Sequence, residues 1–309
     1  MIDLSGQSAI VTGSGRGLGK LYALDLARRG AQVVVNDIGG SMTGEGTDRS
    51  VADQVVEEIR TAGGTAVASH DSVDSPDGGT AIVQTALHAF GRVDIVVSNA
   101  GIYEMVPFDE LTVGQWRRML QIHLDGAFYL AQPAFRAMKA QGYGRFVMIS
   151  SQMGAFGQEL NSHYGAAKGG VLGLTGALAN EGAPNGILAN AVLPVGRTRM
   201  MTDSLEGRDP NAITDALFAE TTAERVVPLV TYLASPECTV NKHFNSAAAG
   251  RFARVFVGLG EGWMADCDQT ITAEDILAHL DEISSTDGFT IPKSSTDEIV
   301  GLLQRLGII

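Results

Sequence analysis

Ser8-Ala9-Ile10-Val11-Thr12-Gly13-Ser14-Gly15-Arg16-Gly17-Leu18-Gly19 is the stretch on which the fold turns. Its first five residues read as a buried strand, and the glycines that follow open a helix. That is the context a phosphate-cradling loop requires. Gly13 permits the tight turn, Gly17 lets the backbone come close to a pyrophosphate, and Gly19 lets the helix pack against the sheet. The helix start supplies free N–H groups and the positive end of a dipole for the phosphates.

Outward from this loop, short apolar runs alternate with longer helical patterns. Gln32–Asn36, Thr65–Ala68, Val93–Val97, Arg145–Ile149 and Ile187–Val192 read as further strands, with Ala253–Val257 as a seventh. Strands that are apolar on both faces belong to a sheet covered on both sides. Between them, Val51, Val55 and Ile59 share one helical face. Repeated β-α alternation gives an α/β fold, a doubly wound parallel sheet of the Rossmann type with right-handed crossovers. One domain is expected over residues 1–258, with residues 259–309 as a short C-terminal extension packed on it. Two short helices are expected there, Ala273–Ile283 and Thr296–Leu306, with capping signals at Thr272-x-x-Asp275 and Ser295-x-x-Glu298. The segment from Val195 to Thr222 is irregular and reads as a lid.

Composition narrows the partners. A net charge of −13 argues against nucleic acid, which needs clustered Lys and Arg. No run approaches the roughly 18 apolar residues of a membrane span. Two cysteines without metal spacing, Cys238 and Cys267, are read as reduced thiols, and the N-terminus lacks a leader pattern, so a cytoplasmic setting is expected.

Asp37 ends the second strand, where a carboxylate accepts the ribose hydroxyls of an adenosine and repels a 2′-phosphate. This favours NAD over NADP, although Arg16 could pair with such a phosphate. Asp71-Ser72-Val73 is placed to meet the adenine, and Asn99-Ala100-Gly101 the adenosine ribose.

At the other end, Tyr164 and Lys168 stand four apart on a helix expected from Ser162 to about Gly182, so they share a face. Ser151 lies just past the fifth strand. A tyrosine is a poor base at neutral pH, and a nearby ammonium, together with the positive nicotinamide ring of the oxidised cofactor, is expected to acidify it. Tyr164 would take the proton of an alcohol, Ser151 would hold the oxygen, and Lys168 would tune the phenol and grip the ribose of the cofactor. His163, beside Tyr164, is read as a surface residue.

Together Thr12-Gly13-x-x-x-Gly17-x-Gly19, Asn99-Ala100-Gly101, Ser151 and Tyr164-x-x-x-Lys168 resemble the short-chain dehydrogenase/reductase family, over residues 5 to 258. Val34–Gly40, Tyr164–Gly170 and Gly196–Met200 are similar to one branch, the (3R)-hydroxyacyl-CoA dehydrogenase part of peroxisomal multifunctional enzymes, also grouped with 17β-hydroxysteroid dehydrogenases. The resemblance implies a small-molecule substrate, a 3-hydroxyacyl-CoA or hydroxysteroid, oxidised with NAD. It also implies a homodimer or homotetramer, which the Gly and Ala content of the Tyr164 helix would suit. A free-standing dehydrogenase is expected. The alternatives are an NADP-dependent ketoreductase, and a nucleotide-sensing or carrier protein without catalysis.

Some positions depart from the family pattern. His123 stands where an Asn is usual, and either serves a proton relay or fills a kinked helix. Ser98 replaces the first Asn of Asn-Asn-Ala-Gly. Pro194 is followed by Val195 in place of Gly, which bears on whether Thr198 reaches the nicotinamide amide. Met200 and Met201 line a pocket or simply pack, and Arg197 and Arg199 either attract a CoA phosphate or stay solvated.

Overall fold

The computed structural model describes residues 2–196, 221–266, 269–306 and 308. Thr198, Arg197, Arg199, Met200, Met201 and Cys267, and all but the ends of the Val195–Thr222 segment, lie outside the described residues. The expected strands form as β1 (Ser8–Thr12), β2 (Gln32–Asn36), β3 (Thr65–Ser69), β4 (Ile95–Ser98), β5 (Gly144–Ile149) and β6 (Ile187–Val195). With β7 (Phe244–Ala248) and β8 (Arg251–Val255) they make one sheet, in the order β3-β2-β1-β4-β5-β6-β7-β8. Among the described residues every pairing from β1 to β7 is parallel, with β1 flanked by β2 and β4.

The seventh parallel strand is therefore 244–248 and not the expected 253–257. Phe-Asn-Ser-Ala-Ala carries little intrinsic strand preference. Its register on β6, from Ala191 opposite Phe244 to Val195 opposite Ala248, decides the matter, because strand propensity yields to pairing and burial. Ala249 and Gly250, at φ 51° and 82°, turn the chain back into β8. Two successive left-handed residues are the signature of a tight hairpin, so β8 is an antiparallel edge strand.

Alternation along each central strand feeds two cores. Ala9 and Val11, Val33 and Val35, and Ile95 and Val97 face one layer, while Ile10, Val34 and Val96 face the other. The first layer is covered by α1 (Gly17–Arg28), α2 (Ser50–Thr61) and the helix Val227–Ala234. The second is covered by α3 (Pro76–Phe90), α5 (Gly126–Gln141) and α7 (Ser162–Gly182). Before α5 lie α4 (Val113–Leu120) and a π turn, Gln121–Asp125. The short α6 (Gln152–Phe156) follows β5. Val51, Val55 and Ile59 are buried together, as their spacing predicts.

Because β4 joins the sheet on the far side of β1 from β2, the chain changes direction at the β1–β4 boundary. In open α/β sheets the crevice outside the carboxyl ends of the strands at such a point is where ligands bind.

The described chain divides into two compact units, Met1–Arg254 and Val255–Ile309. In the second, Leu259–Gly260 pairs antiparallel with Phe289–Thr290. Thr272 caps Ala273–Ala278 in a full capping box with Asp275. The helix then breaks at His279 and resumes over Leu280–Ser284. The last helix is Ser295–Arg305, and its cap is Ser294, accepting from the Asp297 amide, in place of the expected Ser295.

Candidate active site

The glycine loop is wired to the end of β4. Thr12 Oγ1 accepts from the amides of Asn99 and Ala100 at 3.0 and 3.1 Å, and Asn99 Nδ2 donates to the carbonyls of Thr12 and Gly13 at 2.9 and 3.0 Å. This fit leaves no room for side chains. A Cβ on Gly13 would sit 2.7 Å from Ala100 Cα, and one on Gly19 would sit 2.1 Å from the Gly13 carbonyl oxygen. Gly13 and Gly17 also hold φ of 61° and 54°, which glycine adopts without strain.

At the end of β2, Asp37 is held at both oxygens. Gly15 N donates to Oδ2 at 2.8 Å and Gly39 N to Oδ1 at 2.7 Å. Asn36 Nδ2 reaches the Asp71 carbonyl, and Ser69 Oγ donates to the Asp71 carboxylate, which joins β2 to the segment after β3. Arg16 begins α1 and donates to the Gly40 carbonyl.

Beyond β5, Ser150 Oγ donates to the Lys168 carbonyl at 2.8 Å and Lys168 Nζ donates to the Ile149 carbonyl at 2.7 Å. These two bonds pin α7 to the strand end and bring Ser151, Tyr164 and Lys168 together. Tyr164 is 8% exposed and Lys168 4%. Tyr103 and His123 each meet the Tyr164 ring edge-on at 5.2 Å.

A single cleft of about 890 Å³ runs past both groups. Gly13, Arg16, Gly17, Leu18, Gly19, Asp37, Asp71, Ser72, Asn99, Ala100 and Gly101 line one stretch of it. His123, Ser151, Tyr164, Lys168, Pro194 and Val195 line the other. Every described residue that the sequence nominated is on its wall. Unforeseen were Tyr103, the segment Gly40–Met42 with Gly44, and Arg117 and Arg118 of α4, which line it too. A signal existed for the first segment: the thirteen residues between β2 and α2 far exceed the usual two to six of such a connection.

Electrostatics show what the protein alone does to this pair. Burial pushes the Tyr164 phenol up to about 12, only partly offset by its hydrogen bond with Ser151. Burial also pulls Lys168 down to about 7. With Nζ 5.8 Å from the ring centroid, loss of water outweighs attraction, and each group favours its neutral form. The ammonium does not acidify this phenol by proximity alone.

The two histidines also resolve. His123 sits in the π turn, where the helix bulges, and Gly101 makes way for it: a Cβ there would lie 2.3 Å from His123 Cε1. Its Nε2 lies 2.7 Å from the Ile102 carbonyl and 3.1 Å from the Ile102 amide. Burial and the Lys168 charge hold it well below the ordinary histidine range, so the ring is neutral. Its Nδ1 is buried without a partner among the described residues. His163, read as a surface residue, is fully buried, with neither ring nitrogen partnered among the described residues. Tyr103, Met119 and Ala167 pack around Tyr164 in a third apolar cluster, and burial lowers the His163 pKa.

The model of the family described as short chain dehydrogenase matches residues 7–209. The chain belongs to the short-chain dehydrogenase family. It is 38% identical over 303 residues to peroxisomal multifunctional enzyme A of Dictyostelium discoideum, which covers 98% of this chain and 65% of that one. The solved structure of full-length peroxisomal multifunctional enzyme type 2 from Drosophila melanogaster superposes with a TM-score of 0.80 at 31% identity, covering 99% of this chain and 50% of that one. A short chain dehydrogenase from Mycobacterium avium superposes at 0.76 and 31%, covering 91% and 97%. The chain thus spans about 40 to 65% of the length of the peroxisomal multifunctional enzymes it matches. It is an oxidoreductase, a short-chain alcohol dehydrogenase dependent on a nicotinamide dinucleotide, acting on a small molecule. No helix among the described residues is long and apolar enough to cross a membrane.

The site fits such a dinucleotide. The loop is a cradle that a Cβ on Gly13, Gly15 or Gly19 would fill, among the described residues no side chain caps the start of α1, and a fixed carboxylate stands beside it. Uncapped helix amides are free to take phosphate oxygens.

Proposed function

We propose that this dehydrogenase oxidises the secondary alcohol of a 3-hydroxyacyl-CoA or hydroxysteroid to the ketone, with NAD. One observation carries the reading: Ser151, Tyr164 and Lys168 share a cleft with a dinucleotide cradle whose far wall is Asp37. Gly13–Gly19 would hold the pyrophosphate, Asp37 the adenosine ribose, Asp71 and Ser72 the adenine, and Asn99–Gly101 would close against the sugar. NAD is favoured because Asp37, gripped by two amides, cannot swing away from a 2′-phosphate. Arg16, on the same wall, is the feature that would favour NADP.

When bound, a nicotinamide dinucleotide would supply the hydride acceptor for the carbinol carbon. The protein handles the proton. Ser151 holds the substrate oxygen, and Tyr164 Oη receives its hydrogen. Because burial keeps the phenol protonated, Tyr164 must first pass its own proton on. Lys168 is poised for this, since a group titrating near 7 can give up or take a proton at working pH. His123, which lines the cleft with a neutral ring and whose Nδ1 has no partner among the described residues, would continue the relay through a water. The reading includes a homo-oligomer. Its compartment in this proposal is the cytoplasm, supported by the free buried thiol of Cys238. The peroxisomal setting is stated of the relatives alone.

The test is NADH or NADPH formation with a panel of 3-hydroxyacyl-CoAs and hydroxysteroids, on wild type and Tyr164→Phe. Turnover with NAD is expected, and the phenylalanine variant should bind NADH normally but lose roughly 10²–10⁴ in kcat, the scale of a lost general acid–base group. A variant near wild-type rate would overturn the assignment.

A further inference from the structure

Gly114, Arg117 and Arg118 of α4, with Gln121 at the start of the π turn that continues it, line the cleft, spaced i, i+3, i+4 and i+7 as one helical stripe. Arg117 is exposed and Arg118 half-buried. Among the described residues neither guanidinium makes an ion pair or hydrogen bond. The chain holds 35 acidic residues to 22 Lys and Arg, so carboxylates are the more abundant partner. Two adjacent arginines nonetheless stand unpaired at a cleft wall. Asp74 lines the same wall, yet its contact with α4 runs from Gln121 Nε2 to the Asp74 carbonyl, at 3.0 Å, and not to an arginine.

A second observation concerns Gly44. A Cβ built there would lie 3.1 Å from Arg118 Nη2 and 2.8 Å from Ile102 Cγ2. The segment opposite α4 is thus bare where the guanidinium sits. Arg117 precedes His123 by six residues, about 9 Å along a helix axis, so the pair stands back from the reacting end.

Resting on the proposed oxidation of an acyl-CoA, we infer that Arg117 and Arg118 form a binding site for the phosphate monoester on the nucleotide head of the thioester substrate. A planar fork beside a second one suits a dianionic phosphate. The same chemistry is offered by the 2′-phosphate of NADP, which Asp37, held at both oxygens by backbone amides, would repel.

The experiment compares a 3-hydroxyacyl-CoA, its dephospho-CoA analogue and its pantetheine thioester, on wild type and on Arg117→Gln/Arg118→Gln, with Kd values for NADH and NADPH. The double variant should raise KM for the CoA thioester roughly ten- to a hundredfold, as loss of charge-assisted hydrogen bonds implies. KM for the two analogues and both cofactor Kd values should stay put. Arg117→Lys/Arg118→Lys should fall between, keeping charge without the fork. Unchanged KM for the CoA thioester, an equal rise for all three thioesters, or a loss confined to NADPH binding would each overturn the site while leaving the dehydrogenase reading intact. A wild type inert toward all three thioesters would overturn both.

Discussion

Lys168 is the residue at which folding and chemistry pull against each other. An ammonium in that cleft is short of water, and the pKa falls from the usual 10.5 to about 7. The unfolded chain therefore binds a proton that the folded chain does not, at every pH between about 7 and 10.5. Stability contributed by this group is full above the unfolded value and is lost as pH falls through about 7. Lys168→Met removes the titration along with the hydrogen bond to the Ile149 carbonyl. The stability of the variant minus that of wild type should accordingly drop as pH rises from 7 to 10, by at most about 1.4 kcal/mol per pH unit. Urea unfolding at several pH values measures it. A flat difference would show that Lys168 keeps an ordinary pKa in the folded protein. Tyr164 works in the opposite sense and higher up, since its phenol retains a proton between 10 and about 12 that the unfolded chain has lost.

Among the elements, the connection between β2 and α2 has a job that its length hints at. The Tyr103 amide donates to the Met42 carbonyl at 3.1 Å. Since β2 and β4 flank β1, this bond carries the connection over the end of β1, above the glycine loop. Its base is cramped: Gly39 has φ 74°, and a Cβ there would lie 2.1 Å from the Asp48 carbonyl oxygen. Gly39→Ala should displace the strap and leave the sheet alone, so NADH dissociation by stopped-flow fluorescence should quicken at least about tenfold, the equivalent of about 1.4 kcal/mol. Unaltered dissociation would mean that the strap does not retain the cofactor. Much of the site was legible in the sequence because motif and element coincide there. Gly13, Asp37 and Asn99 each follow directly on a strand and Ser151 comes one residue later, so periodicity placed them at one sheet edge. Tyr103 and the arginines of α4 carry no such marker, for only the crossing of elements brings them to the cleft. His163 went wrong for a related reason. Reading one face of α7 as buried assumes one neighbour, whereas His163, Tyr164, Ala167 and Lys168 are all covered. The strand Phe244–Ala248 hid because its pairing, and not its composition, makes it a strand.

At the scale of the whole molecule the two units differ in kind. In Met1–Arg254 most large apolar side chains are inside, in cores on both sheet faces. The unit Val255–Ile309 has no buried apolar side chain among its described residues, and none of its three helices has a buried residue. Fifteen large hydrophobics there are exposed, among them Val257 at 78%, Leu277 at 72% and Ile308 at 63%. Monomeric proteins rarely leave apolar surface so concentrated, and such surface marks an interface. Small residues on the exposed side of α7, Ala166, Gly173 and Ala177, offer a second place where backbones can approach closely. On the proposed homo-oligomer, a second copy of the chain would supply matching surface of both kinds, and two-fold symmetry would close such a contact. Light scattering behind size exclusion should therefore give at least twice 32.4 kDa. Leu277→Glu with Ile299→Glu should shift that mass downward, because a carboxylate cannot be buried unpaired. A wild type that elutes as a monomer at micromolar concentration would leave the surface of the second unit bare and refute the homo-oligomer.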